Sequence, residues 1–233
     1  MRIKEIVLAS LGLVAASWIN SSEAFAQSST VPPIVGRDAD WGTVSQVSTI
    51  IGASTVFLMP RVYYSDPEST VGWKGRWHFS HFAPMMTMAA ATLFIDGPIK
   101  NAMQFTRPGC ANVDPAIAGP GSNCETYGGP STLAFASWGA FGVGTGIFLV
   151  DTIKYSKGRF HAGSFIGNVA VPLVAGVMTS VGRGIDGAGQ PYESSQQVVA
   201  GTFIGMGTGM LVGVAYSLMQ RPSCGYGNAI FCW

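Results

Sequence analysis

The chain has 233 residues, of which 48% are hydrophobic and only 11% are charged, and its formal net charge is +1. Soluble domains carry about 25% charged residues, so the composition excludes a chain that meets water on every side. The nearly neutral charge excludes the basic surface with which proteins attract nucleic acids, and we expect no nucleic-acid partner.

The N-terminal residues 1–26 have the three parts of a secretory signal peptide. Two basic residues precede an apolar segment, Ile6–Ile19, and an A-x-A cleavage motif ends at Ala26. The apolar segment is shorter than the ~20 residues that a membrane span needs. We therefore expect cleavage, with an uncleaved first helix as the alternative. Residues 27–39 then form a polar exported tail.

Five later segments are predicted to span a membrane. In chain order they are Trp41–Pro60, Phe82–Ile95, Ser131–Val150, Ala162–Gly182 and Val198–Met219. The last three are long enough to cross the ~30 Å of hydrocarbon. The first carries several hydroxyl groups, and the second reaches the length of a span only with its polar flanks. The sequence thus predicts an all-α integral membrane bundle of about five helices over residues 40–220, followed by a tail at 221–233.

The last predicted span carries glycines at a spacing of four residues, which places them on one helix face. They are Gly201, Gly205, Gly209 and Gly213. Such a face allows another helix to approach closely. The partner helix belongs either to the same chain or to a second copy in a homodimer.

The loop charges predict the orientation of the bundle. Basic residues cluster after the first predicted span and again at Lys154, Lys157 and Arg159, and basic loops stay on the cytoplasmic side. Residues 100–130 and the segment around Arg183 then face outward. With an exported N-terminus, this pattern is typical of a multi-pass protein of the bacterial inner membrane whose outer face is periplasmic.

Two of the four cysteines are predicted to form a disulfide. Cys110 and Cys124 share an outer loop, and a bridge that closes it would stabilise the fold by about 3 kcal/mol. Cys224 and Cys232 lie in the cytoplasmic tail, where reduced thiols are expected if the topology is right. No cysteine or histidine spacing is typical of a metal site, so we expect neither a metal nor another cofactor.

Four polar residues that are distant in sequence are predicted to meet at the outer face. They are Lys100, Arg107, Ser131 and Arg183. Arginine presents a planar fork of donors that fits phosphate oxygens, and lysine adds a compact charge. This combination indicates a phosphate-binding site.

The same residues resemble the type 2 phosphatidic acid phosphatase family over about residues 80–215. Its motifs are K-x6-R-P, P-S-G-H and S-R-x5-H-x3-D, and they are matched in part by Lys100, Arg107 and Pro108, by Pro130 and Ser131, and by Arg183. The resemblance implies an integral membrane phosphatase that acts on lipid phosphates. A phospholipid or a prenyl phosphate would be the partner.

The catalytic histidines of that family have no counterpart. Thr132 and Leu133 replace Gly-His in the second motif, and the nucleophile and aspartate positions of the third fall near Glu193 and Gln197. The three histidines of the chain, His78, His81 and His161, lie on the predicted inner face, about 30 Å away. Glu193 and Asp186 remain as candidate carboxylate nucleophiles, without a general acid.

Three functions follow as hypotheses. The first is a non-catalytic relative, a pseudoenzyme that binds a phosphate-bearing lipid through the four polar residues. The second is a phosphatase that works with substitute residues. The third is a structural or assembly subunit of a membrane complex, in which lysine and arginine only extend from helix ends to the interface.

Overall fold

A computed structural model describes residues 39–59, 81–110, 118, 124–184 and 192–219. Helices make up most of these ranges, and none of these residues lies in a strand. The predicted signal peptide, the exported tail except for its last residue, and the C-terminal tail with Cys224 and Cys232 lie outside the described residues.

Five helical segments build the described part of the chain. They are α1 (Ala39–Leu58), α2 (Phe82–Met103), α3 (Thr132–Tyr155), α4 (Ala162–Gly184) and α5 (Ser195–Met219). The last four contain 22, 24, 23 and 25 residues and are apolar enough to cross a membrane. The predicted all-helical bundle is therefore confirmed, and its long apolar helices are those of a multi-pass membrane protein.

The first helix has the length of a span, and two of its hydroxyl groups face inward. Ser45 and Thr49 are buried, and the Thr49 hydroxyl lies 3.1 Å from that of Thr179 in α4. Val47 and Ile50 are exposed on the outer side of the helix. Thr43, Gln46 and Ser54 are exposed as well, so the outer surface of this helix carries both apolar and polar side chains.

The glycine face of α5 packs along α3 of the same chain. A β-carbon on Gly205 would meet the carbonyl oxygen of Phe135, and one on Gly209 would meet that of Gly139. Gly201 and Gly213 make equivalent contacts with α3. The same-chain alternative is thus the one observed, and α3 covers the glycines that the homodimer alternative requires.

The second span is longer than predicted. The sequence indicates an end at Ile95, but α2 continues through a π-helical turn, Ile95–Ile99, to Met103. Asp96 and Lys100 neutralise each other across one helical turn, which makes the extension compatible with an apolar helix. The helix ends at Gln104, whose φ of 53° is the left-handed conformation common at helix C-termini.

Contacts between the helix ends define two ends of the bundle. At one end, which we call the Arg183 end, the Thr132 hydroxyl of α3 donates to Asp96 of α2, and Gly182 of α4 packs against the backbone of Trp41 in α1. At the opposite end, His81 Nδ1 lies 2.7 Å from the carbonyl oxygen of Val56. The functional candidates can therefore be assigned to one end or the other.

Candidate functional site

Five charged side chains gather at the Arg183 end, and we call them the charged cluster. They are Asp96, Lys100, Arg107, Arg183 and Glu193. Two lie on α2, one follows α2 in a loop, one ends α4 and one precedes α5. The helix ends thus bring together charges that are up to 97 positions apart, from 96 to 193.

The deepest element of the cluster is the ion pair between Arg183 and Glu193. Arg183 Nη2 donates to Glu193 Oε1 at 2.9 Å and Nε donates to Oε2 at 3.3 Å, while the side chains are 8% and 1% exposed. The guanidinium also lies 4.8 Å from the centre of the Tyr192 ring, a cation–π contact. Both oxygens of the carboxylate are therefore engaged by one arginine.

The ionisation of Glu193 is governed by this environment. Burial opposes the charged form, but the Arg183 charge, hydrogen bonds from Arg183 and Ser131, and the charge of Arg107 outweigh it and lower the pKa of Glu193. The carboxylate is thus ionised at neutral pH. The Ser131 hydroxyl contributes while its oxygen also caps α3 by accepting from the Ala134 amide.

The second ion pair of the cluster joins Lys100 and Asp96 at 3.0 Å. The lysine side chain is 4% exposed, whereas the aspartate side chain is 58% exposed. Asp96 also accepts from the Thr132 hydroxyl at 2.7 Å, which connects α2 to the first turn of α3. The outer boundary of the cluster is therefore a partly solvated carboxylate that holds a buried lysine.

Arg107 is the cation of the cluster without an ion-pair partner among the residues that the structure describes. Its Nη2 donates to the neutral Thr126 hydroxyl at 2.9 Å, and its buried Nε has no hydrogen-bond partner. Burial and the nearby charge of Arg183 lower the pKa of Arg107, while Glu193 and Asp96 oppose that shift. Arg107 is still protonated at neutral pH, as arginine is in proteins. An added anion would offset the energetic cost of burying this charge.

One neutral side chain fixes the positions of Arg107 and Glu193. Gln197 Nε2 donates to the Thr106 carbonyl at 2.8 Å, and its Oε1 accepts from the Ser194 amide at 2.9 Å. These backbone groups belong to the neighbours of Arg107 and Glu193. Gln197 thus connects the loop after α2 to the segment before α5.

The described charges of the cluster do not balance. Three cations face two carboxylates, because Lys100 matches Asp96 and Arg183 matches Glu193. The remaining positive charge is that of Arg107, the more accessible of the two arginines. Chemically, the arrangement can accept one further anion without separating either pair.

The structure brings the four predicted phosphate-binding residues to the same end. Lys100, Arg107, Ser131 and Arg183 all belong to the charged cluster or contact it. Glu193 lies beside them as the partner of Arg183, and Asp186 lies outside the described residues.

The described histidines are at the opposite end of the bundle. His81 precedes α2 and His161 precedes α4, each a full helix away from the cluster, which for α2 is about 28 Å from His81 to Lys100. His78 lies outside the described residues. The predicted separation between histidines and phosphate site thus holds for the two that are described.

Sequence reasoning missed the role of Asp96. Its signal was the i, i+4 spacing from Lys100 inside an apolar helix, since paired charges at that spacing stabilise each other. The tie made by Gln197 had no comparable signal, because it depends on where the loop after α2 returns.

The predicted disulfide is present near the cluster. Cys110 and Cys124 are joined, with their α-carbons 5.5 Å apart. The bridge joins the two segments that carry Arg107 and Thr126, because Arg107 lies three residues before Cys110 and Thr126 lies two residues after Cys124. Within the described ranges, no group of histidine, cysteine and acidic side chains is arranged to hold a metal ion.

Comparison with known proteins does not identify the chain. No protein-family model matches it, and neither a curated protein nor a solved structure is similar to it.

Proposed function

We propose that the Arg183 end of the bundle binds the phosphate-bearing headgroup of a membrane lipid without hydrolysing it. The observation that carries the proposal is the positive charge of Arg107, which no carboxylate in the described part of the chain pairs with, although it lies close enough to both ion pairs to feel the charges of Asp96, Arg183 and Glu193. A phosphate group would offer this guanidinium both a counter-charge and acceptor oxygens. Phospholipids and prenyl phosphates share that chemistry.

A groove on the surface of the bundle supports a lipid rather than free phosphate. It lies between α1 and α4, has a volume of about 410 Å³ and is lined mainly by apolar side chains, including Ile51, Val174 and Met178. Met178 precedes Arg183 by five positions, about 7.5 Å along α4. An acyl chain in this groove would place its headgroup near the charged cluster.

The partial resemblance to type 2 phosphatidic acid phosphatases also supports the proposal. It rests on the cations Lys100, Arg107 and Arg183, which is the part of the family pattern that binds phosphate. The catalytic part is what the chain lacks. Retained cations and missing histidines are the combination expected of a pseudoenzyme.

The surroundings of Glu193 argue against its use as a nucleophile. Both of its oxygens accept from Arg183, so attack on phosphorus would require breaking a buried ion pair. No described histidine lies within reach as a general acid. Binding without turnover is therefore favoured over a phosphatase with substitute residues.

For the location of the site, we propose the periplasmic face of the bacterial inner membrane. The Cys110–Cys124 disulfide lies at the Arg183 end, and disulfides form in oxidising compartments. Lys154 lies in the last turn of α3 and Lys157 and Arg159 follow it, all at the opposite end, as the positive-inside rule expects of a cytoplasmic loop.

Lipid binding tests the proposal directly. The purified protein in mild detergent would be equilibrated with an anionic phospholipid and a zwitterionic phosphocholine lipid with the same acyl chains. Bound lipid would be counted by native mass spectrometry. We expect a preference for the anionic lipid that Arg107→Gln reduces roughly tenfold, the effect of one charged hydrogen-bond donor.

The matched control is Arg159→Gln, which removes an exposed arginine at the opposite end. It should leave lipid binding unchanged. Equal loss in both variants, or no anionic preference, would contradict the proposal and favour a structural subunit. Release of phosphate from a phosphomonoester lipid, lost in Arg107→Gln, would instead establish an active phosphatase.

A further inference from the structure

The two arginines of the charged cluster differ in accessibility to a ligand. Arg107 is half-buried and, among the described residues, donates to one neutral hydroxyl, whereas the Arg183 side chain is 8% exposed and holds Glu193 through two hydrogen bonds. A headgroup that approaches from outside therefore reaches Arg107 while Arg183 is still occupied. The carboxylate of Glu193 sits at the guanidinium where a second phosphate charge would otherwise bind.

Displacement of Glu193 by a ligand is unfavourable. The glutamate side chain is 1% exposed. Besides Arg183, it is stabilised by a hydrogen bond from the Ser131 hydroxyl and by the nearby charge of Arg107. If a phosphate replaced Glu193 as the partner of Arg183, the ionised carboxylate of Glu193 would remain buried without its main counter-charge. The ligand would also meet electrostatic repulsion from that carboxylate.

Lys100 is held in a similar way by a carboxylate at the outer boundary. Its ammonium group donates to Asp96, which also accepts from Thr132. The described cluster thus offers one unmatched positive charge. A phosphodiester carries one negative charge, while a phosphomonoester carries about 1.5 to 2 at neutral pH.

From this arrangement we infer that Glu193 is a specificity-determining residue, which makes the cluster select phosphodiester headgroups over phosphomonoester headgroups. The inference rests on the proposed function and adds the class of lipid. Asp96, which pairs with Lys100 at the outer boundary of the cluster, contributes to the same selectivity. Selection arises because the site rejects the second negative charge, as specificity through unfavourable pairing requires.

A competition between two lipids tests the inference. The purified full-length protein would be equilibrated at neutral pH with equal amounts of dioleoyl phosphatidylglycerol, a phosphodiester, and dioleoyl phosphatidic acid, a phosphomonoester. Dioleoyl phosphatidylcholine serves as the zwitterionic reference. The ratio of the two bound anionic lipids would be read by native mass spectrometry.

The wild-type protein should retain more of the phosphodiester lipid. Glu193→Gln frees the second guanidinium from its counter-charge and should shift the ratio roughly tenfold toward the phosphomonoester lipid. Asp96→Asn should shift it in the same direction by freeing Lys100. Because Asp96 is 58% exposed, this variant can fold even if Glu193→Gln does not.

The double variant Arg183→Gln/Glu193→Gln is the charge-matched control. It removes one charge of each sign and should keep the wild-type ratio. A wild-type preference for the phosphomonoester, or a ratio that neither Glu193→Gln nor Asp96→Asn changes, would overturn the inference while anionic lipids still bind better than the reference. If no anionic lipid binds better than the reference, the proposed function itself fails.

Discussion

Arg183 and Glu193 face each other across the connection between α4 and α5, with Nη2 and Oε1 2.9 Å apart. The same two residues are also joined through their backbones, because the Glu193 amide donates to the Arg183 carbonyl at 3.3 Å. The pair is the most deeply buried part of the charged cluster. The pair fixes the start of α5 relative to the end of α4. It also neutralises Arg183, which the sequence predicts to be a phosphate-binding residue.

We expect removal of one partner of this pair to destabilise the protein. Glu193→Ala leaves the Arg183 guanidinium buried without a counter-charge, and such changes cost about 3–5 kcal/mol. Thermal unfolding in detergent should show a clearly lower midpoint. Asp96→Ala is the comparison at the outer pair, where the carboxylate is 58% exposed but the Lys100 side chain is only 4% exposed. The loss should exceed the ~1 kcal/mol of a surface pair and stay below that of Glu193→Ala, because only one partner of the outer pair is buried.

Replacement of both partners should cost less than replacement of one. Arg183→Met/Glu193→Leu removes both charges and fills part of the space with apolar atoms, which can be nearly neutral in energy. If the double variant is as unstable as the two single losses added together, the side chains do not act as a pair.

The pH dependence of stability should reveal Glu193. Its pKa in the folded protein is lowered from the ordinary value of 4.5 by Arg183 and the adjacent hydrogen bonds, which outweigh burial. A lowered folded pKa stabilises the fold above the unfolded value, and that stability is lost as pH falls through the folded pKa. At pH values below about 4.5, we expect the unfolding temperature of the wild type to decrease, and that of Glu193→Gln to decrease less. Parallel curves would mean that Glu193 does not contribute.

The packing of α5 on α3 should be sensitive to a single methyl group. Gly209→Ala places a β-carbon against the carbonyl oxygen of Gly139, so the two helices must separate. Overpacking of this kind costs about 1–3 kcal/mol. Gly163→Ala is the control, because within the described ranges no atom outside the adjacent backbone lies within 4 Å of the β-carbon it would gain, and alanine favours the helix. Equal unfolding midpoints for the two variants would contradict the close contact.

The sequence was sufficient to predict the helices and the grouping of the phosphate-binding candidates. Long uncharged segments determine the spans, and the alternation of helix direction brings Lys100, Arg107, Ser131 and Arg183 to one end. The sequence did not predict the ion pair between Glu193 and Arg183. That pairing depends on the local path of the chain before α5, for which no periodic pattern exists. The sequence pattern places the end of the second span at Ile95 because Asp96 and Lys100 interrupt the apolar segment, but in the structure the two charges pair within α2 and the helix continues to Met103.

The hydrogen bonds of Gln197 allow a test of how far the loop after α2 depends on α5. Gln197→Leu removes the donor to the Thr106 carbonyl and the acceptor for the Ser194 amide, leaving two backbone groups without these partners. A loss of about 1–3 kcal/mol is expected for each group that stays buried. Because Arg107 follows Thr106, the preference for anionic lipid should weaken as well, whereas Gln196→Leu, at an exposed position of the same turn, should change neither property. If Gln197→Leu lowers the unfolding temperature but leaves anionic binding intact, Arg107 is positioned by its own contact with Thr126 and by the nearby disulfide rather than by α5.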